Sequence, residues 1–281
     1  MRIAIASGKG GTGKTTVATN LVRVLSGTHP VQYVDCDVEE PNGHLFLHPQ
    51  ITRSQPAGIL VPMLDLDRCT RCGACSQLCQ YHAIANLGAT MLVFPELCHG
   101  CGGCIRVCPE QAIREEERPI GVVEHGTAQS ITFLQGRLNV GETMSPPLIR
   151  AVLNAVDPTT TAIIDAPPGT SCPVLTAVRG ADFVLLVTEP TAFGLHDLML
   201  AVEMVRALKL PTGIVINRAD MGDDRVERYC ATECLPILER WPHDRRVAEA
   251  YARGMLAVEA IPDMATSIQA LANAIFQELA S

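Results

Sequence analysis

Apolar residues recur along this chain in two rhythms. Short unbroken apolar runs at residues 2–7, 31–37, 161–165, 183–188, 213–217 and 235–238 have strand length. Between them lie segments with apolar positions three or four apart, at 16–25, 146–156, 195–208, 223–232, 245–251 and 265–279. Strands that are apolar on every side chain are buried on both faces. Their alternation with helices predicts an α/β fold with a mainly parallel sheet and helices on both faces. Two further short strands are expected at 121–124 and 130–134, while 38–42 reads as a loop.

The rhythm breaks between Met63 and Arg118, where cysteine and glycine dominate. The chain therefore divides into one domain built from 1–62 and 119–281, and an insert at 63–118. Within the insert, Cys69, Cys72, Cys75 and Cys79 follow C-x2-C-x2-C-x3-C, and Cys98, Cys101, Cys104 and Cys108 repeat it 29 residues later. Gly73 and Gly102, Ala83 and Ala112, and Ile84 and Ile113 recur at the same offset, so the block is an internal duplication. It resembles a bacterial two-cluster ferredoxin, an α+β module. In that pattern the fourth cysteine of each run serves the other cluster. One [4Fe–4S] cube is assigned to Cys69, Cys72, Cys75 and Cys108, the second to Cys98, Cys101, Cys104 and Cys79. The first run ends in Gln80 where the pattern has proline. Zinc sites use paired C-x2-C knuckles rather than three cysteines in seven residues, and disulfides are not expected in a reducing compartment.

The first strand leads into Gly8–Thr15, GKGGTGKT, which matches the phosphate-binding pattern G-x(4)-G-K-S/T between a strand and a helix. Gly8, Gly10, Gly11 and Gly13 are expected to take positive φ and turn amides inward. With Thr12, Thr16 and the helix N-terminus they form a nest for phosphate. Lys14 is expected to reach the β- and γ-phosphates of ATP or ADP, and the Thr15 hydroxyl to ligate Mg²⁺. Asp35 and Asp37 close the second strand and Asp165 closes a later one, at the carboxyl ends where such sheets bind ligands.

Composition narrows the setting. The chain has 281 residues, a formal charge of −8 and 12 cysteines, eight of them in the insert. The negative charge argues against nucleic acid as a partner. A loop beginning at residue 8 leaves no room for a signal peptide, and clustered thiols suit a reducing cytoplasm. No apolar run has bilayer length. The final helix carries Ile268, Leu271, Ile275, Phe276 and Leu279 on one face and no Lys or Arg. It therefore reads as a packing helix rather than a membrane anchor. Cys172 reads as a core thiol, and Cys230 and Cys234 as a pair on one helix face.

Lys9 inside KGGTGKT, DCDVEEPN at 35–42 and DAPPGTSCP at 165–173 resemble the deviant Walker A ATPases of the MinD/ParA/Mrp type, relatives of the nitrogenase iron protein. The resemblance covers nearly the whole chain. It implies a P-loop NTPase fold, ATP hydrolysis and an ATP-dependent homodimer. By matching position, Lys9 reaches the partner's nucleotide, Asp37 orients the attacking water and Asp165 holds Mg²⁺ through water. Gly169 senses the γ-phosphate, Asn217 contacts adenine and Pro242 packs on the base. Nucleotide-gated electron transfer to an unidentified redox partner is the leading expectation. The alternatives are an iron–sulfur carrier, which needs a labile cluster and an iron–sulfur partner, and a MinD/ParA-like positioning ATPase with structural clusters. An amide-forming ligase of the related diamide synthase type would need a glutaminase domain that this length leaves no room for.

Overall fold

The computed structural model describes residues 1–280. In chain order its strands are β1 Arg2–Ala6, β2 Val31–Asp35, β3 Gln50–Leu64, β4 Ile84–Asn86, β5 Met91–Val93, β6 Ile113–Ala128, β7 Ile131–Leu138, β8 Thr161–Asp165, β9 Phe183–Thr188, β10 Thr212–Asn217 and β11 Ile237–Trp241. The helices are α1 Lys14–Leu25, α2 His44–Leu47, α3 Ala74–Leu78, α4 Gly103–Arg106, α5 Pro146–Asn154, α6 Cys172–Val178, α7 Ala192–Ala207, α8 Arg225–Thr232, α9 Arg245–Ala252, α10 Ala257–Ala260 and α11 Pro262–Ala280.

Nine strands make one sheet in the order β11-β10-β9-β1-β8-β2-β7-β6-β3. All pairs from β11 to β7 are parallel, and β7–β6 and β6–β3 are antiparallel. Side chains alternate across it. Ile3 and Ile5 of β1 pack under α1 and α11 with Leu21, Leu271 and Ile275. Ala4 and Ala6 face the other layer with Leu148, Val178 and Val202. Burial on both faces explains why the central strands carry no polar alternation. The apolar face of α11 is packed into this core through Ile268, Leu271 and Ile275. Among the described residues no helix is long and apolar enough to cross a membrane.

The sheet's far edge departs from the expected layout. The strand expected at 121–124 is the inner part of β6, and β3 was not expected at all. The two run antiparallel from Gln50 opposite Thr127 to Leu64 opposite Ile113. The ribbon thus continues through both expected boundaries of the insert. In its outer half Ile59, Val61 and Ile113 are buried, while Glu115, Glu116 and Glu117, opposite Pro62, Val61 and Leu60, are exposed. Proline is tolerated there because β3 is an edge strand. A bond from Asp65 N–H to the Ala112 carbonyl (2.8 Å) closes the ribbon around residues 66–111. Smaller shifts place β11 at Ile237–Trp241 and end β2 at Asp35. The shared helix face expected for Cys230 and Cys234 is not formed: α8 ends at Thr232, Cys230 is buried and Cys234 is exposed beyond it. Cys172 is exposed at the start of α6 rather than in the core.

Candidate functional site: a phosphate cradle and two cysteine quartets

The turn between β1 and α1 lies across the carboxyl ends of the sheet. Gly11 and Gly13 adopt φ of 77° and 100°, whereas Gly8 and Gly10 do not take positive φ. Gly8 is required for another reason: a Cβ there would lie 2.1 Å from the Asp197 carbonyl oxygen of α7. Helix α1 has no side-chain cap and no acid in its first turn. Its leading N–H groups therefore remain free for an anion.

Gly10, Gly11, Gly13, Lys14, Thr15 and Thr16 line one side of a cleft of about 470 Å³. Asp37, Asn217 and Pro242 line it as well. Asn217 Nδ2 donates to the Thr12 carbonyl (2.8 Å), which ties β10 to the cradle. Gly169, at φ 97°, donates its N–H to the Ser7 carbonyl (3.0 Å) behind the loop. The Thr12 hydroxyl is buried without a hydrogen-bond partner.

The acids separate by their partners. Asp35 is fully buried, and its carboxylate accepts N–H bonds from Asp37 (3.1 Å) and Gly43 (3.0 Å). It shapes the loop after β2. Asp165 sits opposite Asp35 in the β2–β8 register. Tyr33 donates its hydroxyl to Asp165 Oδ2 (3.0 Å), whereas Asp165 Oδ1 is buried with no partner. Burial holds both carboxyls above the ordinary range; for Asp165 the neighbouring Thr15 hydroxyl and Lys14 ammonium offset part of the rise. Asp37 is pushed from 3.8 to about 6 by burial and then by Asp165, with Lys14 opposing. Burial lowers the Lys14 pKa, and Asp165 and Asp37 act against that. An orphaned carboxylate oxygen beside a threonine hydroxyl is a hard-oxygen donor set of the kind Mg²⁺ takes, so Thr15 and Asp165 fit that ion.

Lys9 does not enter the cleft. Its ammonium donates to Glu189 Oε2 at 3.1 Å, and Arg218 pairs with the other oxygen of the same carboxylate. Sequence reasoning missed Glu189 and Tyr33. Glu189 follows the apolar strand β9 directly, the position that drew notice to Asp165. Tyr33 stands two residues before Asp35, on the same face of β2.

Beyond the ribbon, Cys69, Cys72, Cys75 and Cys108 surround one small hollow. Cys79, Cys98, Cys101 and Cys104 surround another, which Cys75 also touches. Backbone N–H groups of Arg71, Gly100 and Ala112 point at Cys69, Cys98 and Cys108 sulfurs at 3.4, 3.4 and 3.3 Å. Burial raises the Cys104 thiol to about 11, and the Cys98 and Cys101 sulfurs add to it. The duplication extends to the backbone. Arg71 and Gly100, Gly73 and Gly102, and His82 and Gln111 all adopt positive φ in pairs 29 residues apart. Among the described residues no three His, Cys, Asp or Glu side chains converge closely enough to hold a single metal ion.

The CobQ/CobB/MinD/ParA nucleotide binding domain matches residues 3–258. The uncharacterized protein MJ0578 of Methanocaldococcus jannaschii is 33% identical over 79% of this chain and 80% of its own length. The iron-sulfur cluster carrier protein of Pyrococcus furiosus is 25% identical over 90% of this chain and 78% of that protein. Among solved structures, the septum site-determining protein MinD of Pyrococcus horikoshii, complexed with Mg-ADP, superposes with a TM-score of 0.61. It is 20% identical, covering 96% of this chain and 93% of that one, a likeness of fold.

Proposed function

The chain belongs to the CobQ/CobB/MinD/ParA nucleotide-binding family and has the P-loop ATPase fold, and from that premise we propose that it hydrolyses ATP to gate electron transfer through two [4Fe–4S] clusters. The observation that carries this reading is the pairing of two cysteine quartets with a ribbon hydrogen-bonded into the ATPase sheet. Thiolates with inward backbone N–H groups are the donor set such clusters take. Bound there, the clusters would supply one-electron chemistry at low potential.

The residues of the cleft divide the hydrolytic step. The Gly11 to Thr16 amides and Lys14 hold the β- and γ-phosphates. Thr15 and Asp165 would hold Mg²⁺, which would neutralise phosphate charge. Asp37 accepts the hydrogen bond of the attacking water and receives its proton as the bond from Pγ to the β-bridging oxygen breaks. Asn217 and Pro242 face the base. Lys9 exchanges its own-chain partner Glu189 for the γ-phosphate on a second copy, so ATP assembles a homodimer. Gly169, bonded back to Ser7, carries the change in phosphate occupancy toward α6.

The test is anaerobic purification with iron and sulfide analysis. The reading predicts about eight irons per chain and a broad band near about 400 nm that bleaches on reduction. A colourless chain loaded with zinc contradicts it. The relative named as an iron–sulfur carrier favours one other reading, delivery of a cluster. Loss of iron to an apo-acceptor would support delivery; retention of all iron through ATP turnover supports electron transfer.

A further inference from the structure

Arg118 lies on β6 directly opposite Ile59 of β3, on the ribbon's buried face. Ile59 lies against the second cysteine loop: its Cβ is 3.8 Å from where a Cβ on Gly100 would sit, and Gly100 donates its N–H to Cys98. Cys98 is itself buried in the same apolar cluster as Ile59 and Ile120. Burial raises the Cys98 thiol, and the Arg118 charge is among the smaller effects that oppose the rise. Nη1 of that guanidinium pairs with Glu142, whose side chain is only 5% exposed. Its Nε and Nη2 are buried and have no partner. Two orphaned charged donors in an apolar setting are costly unless an acceptor completes them.

The other end of this pair leads to the nucleotide loop. Glu142 accepts N–H bonds from Thr143 (3.1 Å) and Met144 (3.4 Å) with its second oxygen. The next residue, Ser145, is buried and donates its hydroxyl to Glu39 (2.9 Å). Glu39 belongs to the segment that follows Asp37, and the neighbouring Val38 carbonyl accepts the Leu138 N–H (2.8 Å). Polar contacts, with one backbone step from Met144 to Ser145, therefore run from the Arg118 guanidinium to the loop bearing Asp37.

We propose that Arg118 is a positioning residue for the cluster held by Cys79, Cys98, Cys101 and Cys104, and that Arg118, Glu142, Ser145 and Glu39 tie that cluster to the Asp37 loop. The inference rests on the cluster reading above. The guanidinium's two free donors serve the sulfur atoms of that cluster and its charge favours the reduced form, which carries one more electron. Glu142 sets how much of that charge the cluster feels. A movement of the Asp37 loop pulls on Ser145 and shifts the balance. Among the described residues no other arginine has buried donors without a partner, so the two clusters differ in potential and only one responds to nucleotide.

The test is an EPR-monitored redox titration of the iron-loaded full chain, with iron content measured in parallel. Arg118→Gln is expected to keep its iron and to disfavour reduction of one cluster about tenfold, a fall of about 59 mV for one electron. Glu142→Gln is expected to move the same cluster in the opposite direction. Ser145→Ala should leave the nucleotide-free potential in place and abolish the difference between ADP and a non-hydrolysable ATP analogue. Arg118→Lys should restore part of the shift. Where Arg118→Gln does not load iron, the sign of the Glu142→Gln shift decides. Full iron with unmoved potentials, or shifts of the same sign in both variants, overturns the inference alone. A chain that binds no iron overturns the cluster reading and this inference together.

Discussion

Replacing Asp37 by asparagine should stabilise the nucleotide-free protein while removing its ability to hydrolyse ATP. Burial and the nearby Asp165 raise the Asp37 carboxyl from 3.8 to about 6. Taken alone, that rise corresponds to ~3 kcal/mol of destabilisation when the group is ionised. Solvent at its open flank reduces this to ~2 kcal/mol. The sign follows from proton linkage. The folded state holds the proton more tightly than the unfolded state, so the stability tied to this group is complete below pH 3.8 and is lost as pH rises through about 6. At pH 8 the Asp37→Asn variant should therefore gain ~2 kcal/mol in urea denaturation and about 5 °C in melting temperature. The gain should shrink between pH 6 and 4 and vanish below. A variant no more stable than the parent at pH 8 refutes the reasoning, as does a gain that persists unchanged at pH 4.

Four further outcomes follow. Glu189→Gln frees Lys9 from a part-exposed ion pair worth ~1 kcal/mol. Two such ties per dimer should make ATP-dependent dimerisation about 30-fold tighter, measured by sedimentation; unchanged or weaker association counts against a resting role for that pair. Lys14→Ala should lose nucleotide binding, whereas Lys9→Ala should retain binding by calorimetry yet lose turnover. Gly8→Ala drives a methyl toward the Asp197 carbonyl and should lower stability by ~1–3 kcal/mol, detectable as a lower urea midpoint. Cys79→Ser should remove the EPR signal of the cluster shared with Cys98, Cys101 and Cys104 and spare the other, although Cys79 lies in the first cysteine run.

The sheet's centre was legible because burial leaves a plain mark. Strands β8 and β9 lie where their apolar runs lie, at Thr161–Asp165 and Phe183–Thr188. Most of the β3–β6 ribbon was not, because Gln50–Ser54 and Arg114–Glu117 are exposed and give no buried run; only the ladder itself holds Glu115–Glu117 opposite Pro62–Leu60. The cradle could be read from the motif, but its glycines serve different ends: Gly11 and Gly13 for backbone angle, Gly8 for close approach to α7. The own-chain pairing of Lys9 with Glu189 joins residues 180 positions apart, and no local spacing reveals it. The same holds for Arg118, whose meaning depends on which residues β6 brings beside it.

The central claim is that nucleotide state controls electron flow, and the most direct measurement is the rate at which the reduced, iron-loaded chain passes electrons to a one-electron dye. Rates with ADP and with a non-hydrolysable ATP analogue should differ several-fold, and Lys9→Ala should erase the difference while leaving iron content intact. Equal rates with the two nucleotides in the iron-loaded parent chain would contradict the account.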